Sequence, residues 1–260
     1  MTTRTGTKIN RLLRNWPRGT AATQTWLGSQ GVNAKLAAWY VTSGWLRRFG
    51  PRAFAQAGDV VDWRGGLYAL QTQLGLTVHV AARTALELRG LAHFVVQGTS
   101  RRVLLFSDRR ERLPTWFRQR PWEARVEHRV FPLFTSRVEG SLTDLDCGGF
   151  HIALAAPERA ILEEMASTRT NTEIEHAFRL MENLSMLRPQ LTQALLEACT
   201  SVKAKRLFLA SAERSGHSWI SHLDPDRVDL GSGKRQLYRG GQFDPKYLIT
   251  VPPSEELPDV

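Results

Sequence analysis

Cysteine is nearly absent from this chain of 260 residues: Cys147 and Cys199 stand 52 positions apart, with no CxxC pair and no Cys/His cluster around them. That spacing argues against a disulfide framework or a zinc site and suits a reducing compartment. Long apolar runs are missing as well. No stretch approaches 18 apolar residues, and the opening MTTRTGTKINRLLRNWP lacks an apolar signal core. The expectation is a protein that neither spans a membrane nor is secreted, and that works in the cytoplasm. There is no repeat of 20–50 residues and no low-complexity tract. What is present is a composition 42% hydrophobic, with aromatics throughout. That is enough to bury a core, in a length that suits one large domain or two ordinary ones.

Acidic residues are scarce in one region only. Residues 1–75 hold ten basic side chains against two acids, Asp59 and Asp62, a net of +8. The other 185 residues hold 25 basic and 23 acidic side chains, a net of +2. The formal charge of +10 therefore belongs to a small module on a nearly neutral body. Such segregation points to a polyanionic partner for that module, with a solvated basic tail as the plainer alternative.

Periodicity organises the same region. Ile9, Leu12 and Leu13 predict a helix over Lys8–Asn15, ended by Pro17. Thr20 is positioned to cap a second helix, Ala21–Ser29, and Asn33 a third, Ala34–Thr42, with Leu36, Ala37, Tyr40 and Val41 inward. Trp45–Phe49 reads as a strand, and Trp63–Leu70 as its hairpin return with Gly65-Gly66 at the turn. Three short helices and a hairpin make a winged helix-turn-helix. Beyond it, Val78–Leu88 reads as a helix. The segments HFVVQ, RRVLLF, RVEHRVF and FHIALA read as strands, and helices follow over Pro157–Ser167, Thr172–Leu187 and Leu191–Phe208. The fold class is α+β: a winged helix-turn-helix over 1–80, then a larger mixed α+β domain over 81–260.

In a helix-turn-helix the second helix of the pair enters the major groove. Here it offers Asn33, Lys35, Trp39 and Thr42. Asn can pair with adenine and Lys with guanine, each contact worth about 1–3 kcal/mol of discrimination. Asn33 serves equally well as a plain helix cap, and Trp39 as a packing residue. Arg47 and Arg48 follow on the strand, where alternation lets one of them face DNA. Arg64 falls at the expected hairpin tip, and Arg11, Arg14 and Arg18 suit phosphates.

The second region offers weaker signals. Nine arginines against four acids over 101–129, with Trp116, Phe117 and Trp122 interleaved, form either a nucleic-acid surface or a charged strand edge. Gly231-Ser232-Gly233-Lys234-Arg235 is no Walker loop, since Val228 and Arg235 stand where Gly and Ser/Thr belong. As a basic glycine turn it either holds an anion or simply turns the chain. Glu158 and Arg159 open a helix after Pro157. They have a structural role there, or Arg159 joins Lys234 and Arg235 on a surface for an anion, RNA or a toxin. Asp144 with Asp146, and His217 with His222, lack the companions of a catalytic or metal site. No catalytic residue, metal or cofactor is expected.

The stretches WLGSQGVNAKLAAWYVTSGWLRRFG and DVVDWRGGLYALQTQLGLTVHVAARTALELRGLAHFV resemble the N-terminal part of AbiEi-type antitoxins of bacterial type IV toxin–antitoxin systems. ALAAPERAILEEMA and VKAKRLFLASAERSGHSWISHLDPDRVDLGSGKRQLYRGGQFDPKYLITVP resemble the rest of that family, so the likeness covers roughly 8–255. It departs at His79–Arg83, where the family pattern has a Gly pair. The resemblance implies a winged helix that represses its own promoter through inverted repeats in duplex DNA. It also implies a C-terminal domain that counters an AbiEii-type nucleotidyltransferase toxin without a stable complex. An enzyme delivered by the winged helix, or a ligand-sensing regulator, are the alternatives.

Overall fold

The structure is a computed structural model that describes residues 3–92 and 102–253. It is a mixed α+β protein, as expected, and the chain divides into two compact units that interleave along the sequence. The first comprises 1–79, 99–130 and 144–153, and the second 80–98, 131–143 and 154–260. The predicted strand HFVVQ, residues 93–97, lies outside the described residues.

The first unit begins with helix α1 (Thr3–Asn15), strand β1 (Ala22–Thr23), and helices α2 (Gln24–Ser29) and α3 (Ala34–Thr42). Strands β2 (Leu46–Gly50) and β3 (Ala53–Gln56) follow. They form an antiparallel sheet in the order β1-β3-β2, with Arg48 opposite Phe54. Ile9, Leu12, Trp16, Leu27, Ala37, Tyr40, Leu46 and Phe54 make one buried cluster inside it. Each large side chain there is worth roughly 1.5–3 kcal/mol of burial.

Two local expectations are corrected. Thr23, not Thr20, caps α2, because the Thr20 hydroxyl donates to the Pro17 carbonyl while Thr23 accepts from the Trp26 amide. The hairpin turns at Gly50-Pro51-Arg52, and Trp63–Tyr68 is helix α4. Asp62 caps α4 by accepting from the Arg64 and Gly65 amides. Gly65 and Gly66 serve close packing: a Cβ at Gly65 would stand 1.9 Å from the Gly19 carbonyl oxygen. After α4 the helix widens into a π turn over Ala69–Gln73. The unit also holds strand β5 (Arg102–Ser107), helix α6 (Thr115–Arg118) and strand β6 (Arg125–Val130). β5 and β6 pair in parallel from Arg102↔Arg125 to Ser107↔Val130.

The predicted helix over Val78–Leu88 is instead strand β4 (His79–Val80) and helix α5 (Ala82–Leu88). In the second unit Val80 pairs in parallel with Leu154 of strand β8 (His151–Ala155), and strand β7 (Leu142–Asp146) precedes it in the chain. Helices α7 (Pro157–Ser167), α8 (Asn171–Glu182), α9 (Pro189–Ala198) and α10 (Val202–Ser215) form the body. A single helix over Leu191–Phe208 does not form. The chain at Cys199-Thr200 turns to pair with Leu133–Thr135 through the Thr200 amide and the Leu133 carbonyl, and Ser201 then caps α10. Strands β9 (Gln242–Asp244) and β10 (Ile249–Val251) close the unit as an antiparallel pair.

Candidate nucleic-acid interface

Alanines and apolar side chains on one face of α3 hold it to the core, since Ala37 and Tyr40 are fully buried. The other face is open. Asn33, Lys35 and Thr42 are exposed, and Trp39 keeps 49% of its surface in solvent. The Asn33 side chain accepts from the Leu36 amide at 2.9 Å, so the helix starts where expected and this side chain is engaged as its cap. The Thr42 hydroxyl donates to the Ala38 carbonyl. Trp45, 45% exposed between α3 and β2, adds a second indole that the sequence reading passed over.

The strand alternation separates the two arginines of β2. Arg48 is exposed, whereas half-buried Arg47 donates to the Asp59 carbonyl at 2.8 Å and lies over the Phe49 ring. The tip of the hairpin carries Arg52, exposed and held at φ 59°. The sequence signal for that turn is the Gly50-Pro51 pair, a turn marker in its own right. Arg64, expected at that tip, sits instead in the first turn of α4, half-buried, 3.7 Å from Asp62 and over Trp63.

On α1, Arg11 and Arg14 are exposed, and Arg14 donates to the Asn10 carbonyl. Arg18 pairs with Asp59 at 3.1 Å and donates to Gln56. With Asn10, Leu13 and Gln56, Arg14 and Arg18 line a depression of about 530 Å³. Both acids of the module are occupied: Asp59 is buried against Arg18 and the Gly19 amide, and Asp62 caps α4. The exposed face of α3 and the hairpin is therefore left with unopposed cations.

Of the arginines of 101–129, Arg109, Arg110, Arg112 and Arg118 are exposed, three others share one carboxylate, and Arg101 lies outside the described residues. Arg102 grips Glu127 with two bonds of 2.9 and 2.7 Å, and Arg125 and Arg129 pair with the same carboxylate. The Arg102 bond holds the Glu127 carboxyl below its ordinary range against the opposing effect of burial.

In the second unit the basic surface expected of Arg159, Lys234 and Arg235 is only partly there. Arg159 is 3% exposed, donates to Glu163 at 2.6 Å and lies over the Phe134 ring. Its aliphatic stem and charge are absorbed inside the helix pack. Lys234 and Arg235 are exposed, Lys234 over the Phe243 ring. The glycine turn before them is organised from within: buried Arg206 donates to the carbonyls of Leu230, Gly231 and Gly233. The Gly231 and Arg235 amides are taken by Asp229 and the Leu248 carbonyl. Glu158 is also internal. Burial would raise its carboxyl, but Arg188 donates to it from side chain and backbone and holds it below the ordinary range. His217 donates to the Met181 carbonyl and stacks on Trp219, and Asp146 accepts from the Gly148 amide. Among the described residues no three His, Cys, Asp or Glu side chains gather as a metal site would require. No helix among them is long and apolar enough to cross a membrane.

Comparison with known proteins bears on both units. Residues 5–97 match the family model described as "Transcriptional regulator, AbiEi antitoxin N-terminal domain". Residues 100–252 match "Transcriptional regulator, AbiEi antitoxin, Type IV TA system". A comparison with curated proteins finds no match. Among solved structures, the fold is similar to that of the RV2827C protein from Mycobacterium tuberculosis. That likeness has a TM-score of 0.58 at 13% identity, covering 94% of this chain and 89% of that one.

Proposed function

Because the chain belongs to the AbiEi family of antitoxin transcriptional regulators of type IV toxin–antitoxin systems, we propose that it represses its own promoter by binding inverted repeats in duplex DNA. In the same reading it counters an AbiEii-type nucleotidyltransferase toxin in the cytoplasm without forming a stable complex. The DNA-binding side chains fall within 1–80 as a winged helix-turn-helix, and the toxin-countering surface within 81–260, where Lys234 and Arg235 are exposed.

One observation carries the DNA reading: α3 and the hairpin beside it expose Lys35, Trp39, Thr42, Arg48 and Arg52, while the two acids of the module are engaged internally. A helix of this kind fits the major groove, where Lys35, in its first turn, reaches guanine acceptors. Trp39 and Thr42 lie further along, at sugars or thymine methyls. Arg48 and Arg52 on the hairpin meet phosphates, with Arg11 and Arg14 along the flank.

The test is a gel shift of the full chain with the region upstream of its gene across a salt series. Binding should weaken steeply with salt, each lost phosphate contact lowering the slope of log K against log salt by about one. Lys35→Ala should relax base preference, while Arg48→Ala and Arg52→Ala should weaken all duplexes alike. Binding that is absent, or indifferent to salt, would overturn the reading. Co-expression of the full chain with the toxin, wild type against a Lys234→Ala/Arg235→Ala variant, tests the second half through growth.

A further inference from the structure

The hairpin that carries Arg48 and Arg52 rests on a segment far from it in sequence. Phe49, next to Arg48 and buried, has the guanidinium of Arg120 at 3.7 Å over its ring. Trp116 and Trp122 flank the same ring at 5.9 and 6.0 Å. Arg120 also donates to the Phe49 backbone carbonyl at 3.1 Å, at the point where β2 bulges before the turn. The next residue, Gly50, lies so near α6 that a Cβ there would come within 2.6 Å of the Trp116 Cβ. The aromatic shelf is itself tied together. Trp122 donates to the Phe117 carbonyl at 3.0 Å, and a Cβ at Gly66 of α4 would meet Trp122 and Phe117 at 2.8 and 3.0 Å.

We infer that Arg120, on the shelf of Trp116, Phe117 and Trp122, is a positioning residue that sets the angle at which the hairpin presents Arg48 and Arg52 to a phosphate backbone. This rests on the DNA-binding reading and adds to it a residue outside 1–80. Arg120 is half-buried, one of its donors is taken by a backbone carbonyl, and its flat face is covered by Phe49. It acts through the hairpin and not as a cation for DNA. A guanidinium suits this where an ammonium does not, because the stack and the directed bond both need its plane. The arrangement also makes DNA binding depend on residues matched by the C-terminal family model, with the helix–hairpin module incomplete without them.

Arg120→Lys in the full chain keeps the charge and loses the stack. Promoter affinity should fall about tenfold and the salt slope by about one, although no cation is removed. In an Arg48→Ala/Arg52→Ala background the same change should cost less than about twofold, because coupled residues are not additive. An equal loss in both backgrounds, or none in the wild type, would overturn the inference. Hydrogen exchange supplies a readout that needs no DNA. Arg120→Ala should speed exchange of the β2–β3 amides at least about tenfold while the α3 amides stay protected. Unchanged hairpin exchange would sink the positioning role even if the wild type fails to bind its promoter, a result that would count against the DNA reading alone.

Discussion

The helix–hairpin region and the helical body are both rich in arginine, and several of these side chains are used in opposite ways. In the helix–hairpin region Arg11, Arg14, Arg48 and Arg52 stand in solvent, and the local acids are engaged elsewhere. In the helical body Arg159 and Arg206 are buried, and Arg188 bonds Glu158; each has a carboxylate or a set of carbonyls as partner. An exposed guanidinium with no local acid keeps its charge available to a polyanion. A buried one is a scaffold element whose partner is obligatory, since an unpaired buried charge is costly. Net charge alone does not distinguish these uses; burial and pairing do.

The comparison can be broken most forcefully on the scaffold side. Glu163 accepts from both Arg159 and the Ala82 amide. Glu163→Ala should therefore destabilise by about 3–5 kcal/mol, read by chemical denaturation, because buried Arg159 loses the carboxylate it bonds at 2.6 Å and the Ala82 amide loses its acceptor. On the open face the reverse is expected. Arg48→Ala/Arg52→Ala should leave stability within about 0.5 kcal/mol while weakening DNA binding. A large stability loss there would show that these side chains are scaffold after all.

Acid sharpens the contrast within the body. Arg188 holds the Glu158 carboxyl below its ordinary range in the folded state, so its contribution is present above the unfolded value and is lost as pH falls through the folded one. Burial raises Glu164, the Arg83 charge and amide only partly opposing it, so its effect has the other sign. Its contribution is full below the unfolded value and disappears as pH rises through the folded one. Glu158→Gln should flatten the acid limb of a stability–pH curve, and Glu164→Gln should flatten the limb on the neutral side. Identical profiles for the two variants would refute the assignment.

The smallest effect concerns Ala82, a buried residue at φ 50°, with its amide donating to Glu163. A left-handed non-glycine residue costs roughly 1–2 kcal/mol, and glycine returns part of that as backbone entropy. Ala82→Gly should gain about 0.5–1 kcal/mol, a rise in Tm of a few degrees.

Much of the candidate interface was readable in the sequence because its causes are local. Helix α3 begins and ends at the predicted residues, since Asn33 caps it and the spacing of Ala37 and Tyr40 orients it. The concentration of positive charge in residues 1–75 is likewise a property of the chain alone. Strands β5, β6 and β8 and helix α7 followed from apolar patterning in the same way.

What escaped the sequence depended on partners distant along it. Gly65-Gly66 looks like a turn because glycine permits one, yet here it admits the Gly19 backbone, Phe117 and Trp122 to a helix. Arg159 reads equally as a structural residue or a surface cation until helix packing encloses it with Glu163. The break between α9 and α10 needs the Leu133 carbonyl, and the hairpin's support needs Arg120. Helix α3, its cap and the charge around it were settled by residues within a few positions of one another. Which cations stay open to a partner and which become scaffold was decided by tertiary structure, because desolvation and pairing arise only when distant segments meet.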